Sequence, residues 1–349
     1  MPRLIAILVA MFACAGDAGA QWLKLPTPGL QRLPDGKPNL AASAPRTPDG
    51  KPDFSGLWKN DGGDRLYNNI AADLQPGDVA PWADALYRKR RLEFGKDSME
   101  TRCLPLGPAY LTTRFREIRI VQTPALVTIL FNDGMHREIF MDGRTLERDP
   151  NPTWMGYSIG QWEGDVLVVE SNGYNERSWL DWDGHPHTEA LRITERYTRR
   201  DVGHIDLQVS MVDPTAYFKP ITFSMPIKLE ADTEMLEAVC ENNGSRERIS
   251  GGTAGRAVDV PVAALSRYVG VYDLADETDA DNKTEVAITL VGSALFLDYG
   301  GKGKEELIPL AATRFSWSGT VLEFSTAADG AMRLTIHYAE NSEGGPRRR

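Results

Sequence analysis

The chain has few cysteines and, after its first twenty residues, no long apolar stretch. Three of its 349 residues are Cys, none of them in a Cys-x-x-Cys spacing, which argues against a zinc knuckle and against a thioredoxin-like redox centre. Beyond residue 20, no run approaches the ~20 apolar residues that a transmembrane helix needs. The sequence therefore predicts no integral membrane segment in that part of the chain.

Basic side chains are too few to balance the acidic ones. The 39 Lys and Arg residues stand against 49 Asp and Glu residues, which gives a formal net charge of −10. A surface of this sign repels nucleic acid and anionic membranes on average. The sequence predicts a small neutral or partly apolar molecule as the partner, and no nucleic acid.

The alternation of strands and helices that marks a parallel α/β sheet is also missing. Only residues 79–94 have a helical pattern, with Asp78 as the expected N-cap and Pro81 in the first turn. The run Arg88–Arg91 within it is interpreted as a solvated helix face rather than an anion site. With 32 Gly and 22 Pro residues, the chain fits many short strands joined by turns.

Two-residue periodicity indicates strands in two blocks. About eight strands are expected in the first block, as an antiparallel meander that closes or nearly closes into a barrel and can hold one small ligand. The fold class is predicted as all-β, with two lipocalin-like barrels in tandem. The expected strands are 116–121, 125–131, 135–141, 165–171, 189–200, 204–212 and 221–229, then 267–273, 285–290, 294–299, 306–310, 321–325 and 332–338.

Domain boundaries follow from these blocks and their flanks. A Pro/Gly-rich arm precedes the first barrel and repeats the turn motif Pro-Asp-Gly-Lys-Pro at residues 34–38 and 48–52. The expected units are a signal peptide (1–20), the arm (21–56), the main barrel (57–242), a linker (243–260), a second β domain (261–340) and a disordered tail (341–349).

The N-terminus has the pattern of a secretory signal. Arg3 precedes the apolar run Leu4–Phe12, and Ala18-Gly19-Ala20 offers a cleavage site. A lipid-acceptor role for Cys14 is the alternative. The predicted localisation is periplasmic or secreted.

Cleavage of this signal leaves two cysteines, Cys103 and Cys240. In an oxidising compartment a disulfide between them is expected. Two separately buried thiols are the alternative.

Residues 153–200 hold the densest set of potential site residues, with Trp, His and acidic side chains between two strand patterns. Amphipathic aromatic side chains suit the mouth of a ligand cavity, although core packing explains them equally well. Together with one tyrosine in the loop after strand 204–212, the predicted ligand-binding residues are Trp154, Tyr157, Trp162, Trp179, Trp182 and Tyr217.

The motif His185-Pro186-His187-Thr188-Glu189 places alternate side chains on one face if the segment is extended. His185 and His187 are weak candidates for a divalent metal site, because no fourth ligand is evident, and no other cofactor is predicted. The catalytic hypothesis gives His187 an acid/base role with Glu189 or Asp183. Hydrogen-bonded structural histidines are the alternative.

Residues 156–160 match Gly-x-Ser-x-Gly, the nucleophile elbow of α/β-hydrolases. An elbow needs a strand before Ser158 and a helix after it, and neither pattern is present. The match is therefore interpreted as a structural turn. In the loop after strand 204–212, Asp213 is expected to bind turn amides.

Two resemblances add to these patterns. The blocks TPDGKPDFSGLW, PTWMGYSIGQWEGDVLVVES, DGHPHTEALRITERYTRR and DPTAYFKP resemble those of a widespread family of secreted bacterial proteins, a likeness that implies no particular activity. The second β domain contains the segments LSRYVGVY and LIPL. Through them it resembles the lipocalin-like domain appended to some penicillin-binding-protein-like serine hydrolases. Their Ser-x-x-Lys motif is absent here, so their peptidase activity is not implied.

Two classes of function remain open from the sequence. In one, the first barrel is a hydrolase, lyase or isomerase that uses His187 on a bound small molecule. In the other, the protein binds or delivers the molecule without turnover, or contacts envelope partners through its arm or second domain.

Overall fold

The computed structural model describes residues 25–62, 69–93, 95–108, 117–240, 257–276, 283–317, 320–337 and 342–348. Within them the chain is nearly all β, with two barrel-like sheets of nine strands each in tandem. This confirms the predicted fold class. The predicted signal peptide and residues 243–256 of the predicted linker lie outside the described residues.

The first sheet is a closed barrel. Each strand pairs with the next along the chain, and the ninth returns to the first, with Trp58 opposite Leu229. All edges are thereby paired. The strands are β1 (Gly56–Asn60), β2 (Ile118–Gln122), β3 (Leu126–Phe131), β4 (His136–Phe140), β5 (Tyr157–Glu163), β6 (Val166–Asn172), β7 (Arg192–Arg199), β8 (His204–Val212) and β9 (Ile221–Leu229).

An odd number of strands requires a parallel pair in a closed barrel, because each antiparallel neighbour reverses the strand direction. That pair is β4 with β5, where only Ile139 with Ser158 and Phe140 with Ile159 are in register. Residues 141–156 make the long crossover that a parallel pair needs. The expected antiparallel meander is wrong at this step.

Two barrel strands, β1 and β5, are absent from the expected set. A long connection that contains the helix separates β1 from β2, so no hairpin signal precedes the pairing. In β5, Gly160 suggests a turn, but it serves close packing: a Cβ there would lie 2.4 Å from the sulfur of Met141. Glycine inside a strand marks such an approach as readily as a turn.

One helix of more than a single turn is present among the described residues, α1 (Pro81–Leu92), within the predicted range. Its N-cap is Ala80, so the prediction of Asp78 as the cap is wrong. Asp78 instead ends a preceding 3-10 turn, where its carboxylate accepts a hydrogen bond from the Gln75 amide at 3.0 Å. No described helix has the length and apolar character to cross a bilayer.

The two Pro-Asp-Gly-Lys-Pro repeats of the arm form the same small loop. Gly36 and Gly50 have φ values of +84° and +82°, which non-glycine residues rarely adopt. An arginine just before each repeat donates to the carbonyl of its glycine and to both oxygens of a distant carboxylate. These ion pairs, Arg32 with Asp232 and Arg46 with Asp165, attach the arm to the barrel.

The second sheet is nearly closed, because its edge strands β13 and β14 are separated in the chain only by Leu307. β18 lies between β10 and β17, so the predicted disordered tail is wrong for residues 342–346. β15 is also absent from the expected set. The elements are α2 (Val262–Leu265), β10 (Gly270–Asp276), β11 (Lys283–Val291), β12 (Ala294–Tyr299), β13 (Lys304–Glu306), β14 (Ile308–Pro309), β15 (Arg314–Trp317), β16 (Thr320–Thr326), β17 (Met332–His337) and β18 (Ser342–Pro346).

Arg91 on α1 connects the two sheets. Its guanidinium pairs with Asp183, lies 3.9 Å from Glu305 Oε2 and donates to the Glu306 carbonyl at 2.5 Å. Glu305 also accepts a hydrogen bond from the Trp317 indole at 2.6 Å. Since the Arg91 side chain is only 9% exposed, the expected solvated helix face is wrong at this residue.

Cys103 and Cys240 form a disulfide, with their Cα atoms 5.5 Å apart. This confirms the predicted bridge. The bonded residues are 137 positions apart, and the loop that they close contains every barrel strand except β1. The bond therefore constrains the first barrel alone.

Candidate functional site

The interior of the first barrel contains a buried cluster of charged and hydroxyl side chains, here called the Arg137 cluster. Arg137 on β4 donates to both carboxylate oxygens of Glu195 on β7, at 3.0 and 2.5 Å. It also donates to Ser158 on β5 at 3.0 Å and to Ser171 on β6 at 2.7 Å. Tyr197 donates to Glu195 at 2.6 Å. Four adjacent strands thus share one network.

Protonation in this cluster follows from burial and from the ion pair. Desolvation acts to lower the pKa of Arg137, but the Glu195 carboxylate outweighs it and the pKa is raised. Burial raises the pKa of Tyr197 well above its usual value, so the phenol stays a donor. No polar side-chain atom of the cluster is buried without a hydrogen-bond partner. The cluster is therefore satisfied and carries no net charge.

Sequence reasoning missed these residues because they lie in regular strands. A signal was present in the alternation, since Arg137 and Glu195 each stand two positions from a buried isoleucine, Ile139 and Ile193. A charged side chain on the apolar face of a strand is more informative than another apolar one.

A cleft of about 360 Å³ opens between β4 and β5, where their short parallel pairing ends. We call it the seam cleft. It reaches the Arg137 cluster, and two of the predicted ligand-binding residues, Trp154 and Tyr157, belong to its wall. Its lining includes Met135, Arg137, Phe140, Trp154, Tyr157 and Ser158.

His187 is buried in the connection between β6 and β7. Its Nε2 lies 2.8 Å from Ser178 Oγ, and its Nδ1 lies 3.1 Å from the Thr188 carbonyl oxygen. Because a carbonyl only accepts, Nδ1 carries the proton and Nε2 accepts from Ser178. Burial lowers the pKa of His187, so the ring is neutral at neutral pH.

Tyr174 contacts both His187 and the seam cleft. Its ring meets the His187 ring edge to face, with centroids 6.4 Å apart. On the other side, a Cβ at Gly156, which lines the seam cleft, would lie 2.6 Å from the Tyr174 ring. His187 is therefore one aromatic ring away from the cleft.

The remaining polar candidates before residue 187 have structural partners. The Nδ1 atom of His185 lies 2.6 Å from Asp181 Oδ2, and the His185 ring stacks on Tyr87 with centroids 3.9 Å apart. Asp183 pairs with Arg91. Among the described residues, no group of three or more His, Cys, Asp or Glu side chains has the geometry to hold a metal ion.

Glu189 lies in a different cleft, of about 450 Å³. Its side chain is exposed, and its backbone amide donates to Glu176 at 3.4 Å. The structure does not place this carboxylate next to His187. The lining of this cleft includes Pro150, Pro152, Asn172, Glu189, Arg192 and Pro214.

The predicted aromatic residues lie in several places. Trp154 and Trp179 belong to one small buried cluster. Trp162 is elsewhere, stacked on Phe54 with ring centroids 6.0 Å apart. Trp182 is half-buried. The sequence-based prediction grouped these residues as the lining of one cavity, whereas the structure places them at several separate positions.

Tyr217 and Asp213 attach the loop after β8 to the connection that carries His187. Tyr217 donates to the Pro186 carbonyl at 2.7 Å. Asp213 accepts hydrogen bonds from the amide of Thr188 at 2.5 Å and from two amides of its own turn, as expected. These bonds fix the position of the segment around His187.

A further cleft, of about 290 Å³, lies between α1 and the connection from β6 to β7. We call it the helix cleft. It shares Trp154 with the seam cleft, so this side chain stands between two concave surfaces. Its lining includes Lys89, Arg90, Arg102, Trp154, Arg177 and Trp179.

Comparison with known proteins yields no match to a family model and none to a curated protein. Ser158 lies within β5 and is hydrogen-bonded to Arg137, so the Gly-x-Ser-x-Gly match does not form an elbow. The seam cleft is an open groove with room for a small molecule, and a neutral imidazole lies against a serine hydroxyl nearby.

Proposed function

We propose that the first barrel binds a small, partly apolar and uncharged molecule in the seam cleft. The observation that carries this proposal is the interruption of the β4–β5 ladder next to the Arg137 cluster. Ligand sites are typically clefts of roughly 300–1,000 Å³ with apolar walls and a few fixed polar groups. The seam cleft has this size and composition.

The lining suggests the chemistry of the ligand. Met135, Phe140 and Trp154 supply apolar and aromatic surface. At the polar end, the charge of Arg137 is already balanced by Glu195, so a second carboxylate gains little there while losing its own hydration. A hydroxyl or carbonyl group on the ligand fits this end better.

Binding of N-phenyl-1-naphthylamine, a neutral fluorescent probe, tests the proposal. We expect saturable binding at one site, and a loss of about tenfold in affinity, ~1.4 kcal/mol, for Tyr157→Leu. Trp162→Leu is the matched control, because Trp162 was predicted from the sequence as a ligand residue but does not line the cleft. Equal weakening by both variants, or no saturable binding, would refute the proposal.

We also propose that the protein is exported to the periplasm or beyond. The signal-peptide pattern of residues 1–20 and the disulfide support this, because such bonds persist in oxidising compartments. Expression of the full chain followed by cell fractionation and N-terminal mass spectrometry tests it. Mature protein that begins near Gln21 is the expected result, and uncleaved cytosolic protein is the contrary one.

Catalysis is the second candidate function, and the pair of Ser178 and His187 favours it. A neutral imidazole that accepts from a hydroxyl is the arrangement of a general base and its nucleophile. Action of His187 with Glu189 or Asp183 stays a prediction. Turnover of an ester panel that is lost in His187→Gln, with probe affinity retained, would support catalysis. Loss of affinity without any measurable turnover in the wild type would favour binding alone.

A further inference from the structure

The helix cleft is cationic on a chain whose formal net charge is −10. It is lined by the basic residues Lys89, Arg90, Arg102 and Arg177 and by the acidic residues Glu93 and Asp97. Both carboxylates are already paired, Asp97 with Arg102 of the lining and Glu93 with Lys96. In the described part of the chain, the other three basic residues of the lining form no ion pair.

Arg90 is the most constrained of these three cations. It donates to the Gly184 carbonyl at 2.9 Å, and its guanidinium lies 4.6 Å from the ring centroid of Trp179. Burial lowers the pKa of Arg90 to about 10. Asp181 and Asp97 act on this guanidinium only at longer range, without an ion pair, so a partly desolvated Arg90 gains from an anion bound in direct contact.

Arg177 is the second cation of the cleft that lies over a tryptophan ring. Its guanidinium lies 4.9 Å from the ring centroid of Trp154, and its side chain is exposed. Cations held over tryptophan faces are positioned before any ligand arrives. Met99 and Leu104 also belong to the lining. Since Met99 and Trp179 are buried, the apolar surface next to these cations comes from the half-buried Trp154, Leu86 and Leu104.

We propose that the helix cleft is a binding site for a small organic anion with a flat apolar body and one carboxylate, sulfonate or phosphate group. The anionic group lies among Lys89, Arg90 and Arg177, and the body lies against the half-buried side chains of Trp154, Leu86 and Leu104. This proposal goes beyond the proposed function of the seam cleft, because the helix cleft has different polar residues and would bind a ligand of different charge.

Isothermal titration of the full-length protein with four naphthalene derivatives tests the proposal. The probes are 2-naphthoate, 2-naphthalenesulfonate, 2-naphthyl phosphate and the neutral 2-naphthamide. We expect at least one anion to bind threefold or more tightly than the amide, with affinity that falls as salt is added. The best-bound anion then identifies the head group. If no anion exceeds the amide by threefold, the proposal is wrong.

Charge-removing variants locate the site. We expect Lys89→Gln and Arg177→Gln to weaken the best-bound anion by about fivefold or more, as loss of a charge-assisted contact should. Arg148→Gln is the matched control, since Arg148 is equally exposed, has no ion pair in the described part of the chain and lies in a different cleft. Equal weakening by the control overturns the proposal.

A third variant separates this site from the seam cleft. Tyr157 lines the seam cleft but not the helix cleft, so Tyr157→Leu should retain the affinity for the best-bound anion. If Tyr157→Leu loses the anion while Lys89→Gln and Arg177→Gln keep it, the anion occupies the seam cleft and the helix cleft is not its site.

Discussion

The two nine-stranded sheets differ most in what they bury. The first encloses the Arg137 cluster, whereas the core of the second is an apolar cluster built from residues such as Leu334 and Ile336. The buried carboxylate of the second sheet, Glu305, lies at the contact with α1. A sheet of nine strands in this chain thus folds around an apolar core. The second sheet forms without a buried ion pair in the described part of its core, whereas the ion pair of the first barrel lies beside the seam cleft, where we propose that a ligand binds.

The largest expected effect comes from removing one half of the ion pair in the first barrel. Arg137→Met should lower the free energy of unfolding by about 3–5 kcal/mol, because Glu195 is left buried without its partner. Urea denaturation followed by tryptophan fluorescence measures this change.

Two controls test whether the difference between the sheets is real. Arg137→Met combined with Glu195→Leu should recover at least half of the loss, since a buried ion pair is often replaceable by apolar side chains. In the second sheet, Leu334→Ala should cost about 2–5 kcal/mol through the cavity that it creates. A cost below ~1 kcal/mol for Arg137→Met alone would show that the ion pair contributes little to the stability of the barrel.

Removing the disulfide should affect only the first barrel. Cys103→Ser with Cys240→Ser is expected to cost about 2–5 kcal/mol, because the open chain gains conformational entropy in the unfolded state. Hydrogen exchange resolved by peptide distinguishes the two sheets. Equal loss of protection in β10 to β18 would mean that the two sheets unfold as one unit.

Acidification should destabilise the first barrel through His187. The pKa of His187 lies below its ordinary 6.5 because burial disfavours the charged ring, so the unfolded chain takes up the proton first. This contribution to stability is present above pH 6.5 and is lost as the pH falls towards the lowered value. His187→Gln should reduce the slope of urea midpoint against pH. An unchanged slope in His187→Gln would contradict this prediction.

The smallest effect is expected in the arm. Arg46→Gln removes a solvent-exposed ion pair with Asp165, and such pairs contribute little to global stability. We expect an unchanged urea midpoint but faster cleavage by endoproteinase Lys-C after Lys51. Arg333→Gln, at an exposed position of the second sheet, serves as the control. Unchanged cleavage would show that the arm is held by other contacts.

Local patterns predicted much of the fold. β8 and β9 were obtained with their observed ends, because strict alternation runs through both strands between clear turns. The disulfide followed from the cysteine count and the expected compartment. β1 was missed because its partners, β2 and β9, are distant in sequence. Pairing between strands so far apart produces no turn or hairpin signal next to β1. The parallel pair was missed because β5, one of its two strands, was absent from the expected set.

The site was less predictable than the fold. His187 was predicted as an acid/base residue, and it is buried, but its contact with Ser178 depends on the conformation of a loop that sequence periodicity does not predict. Asp183 pairs with Arg91, a partner from a helix some ninety residues earlier. Such pairings depend on how the loops at the barrel end pack together. The inward arginine on β4 was the one strong signal in the sequence that was overlooked.

The parallel pairing of β4 with β5 has an expected consequence for the stability of the barrel. Two registered residue pairs hold this joint, whereas the neighbouring β5–β6 ladder has seven. The barrel wall therefore has few interstrand hydrogen bonds beside the seam cleft, where the proposed ligand would enter. If the proposed ligand binds in the seam cleft, it contacts both parallel strands, and we expect the ligand-bound barrel to be more stable than the ligand-free one.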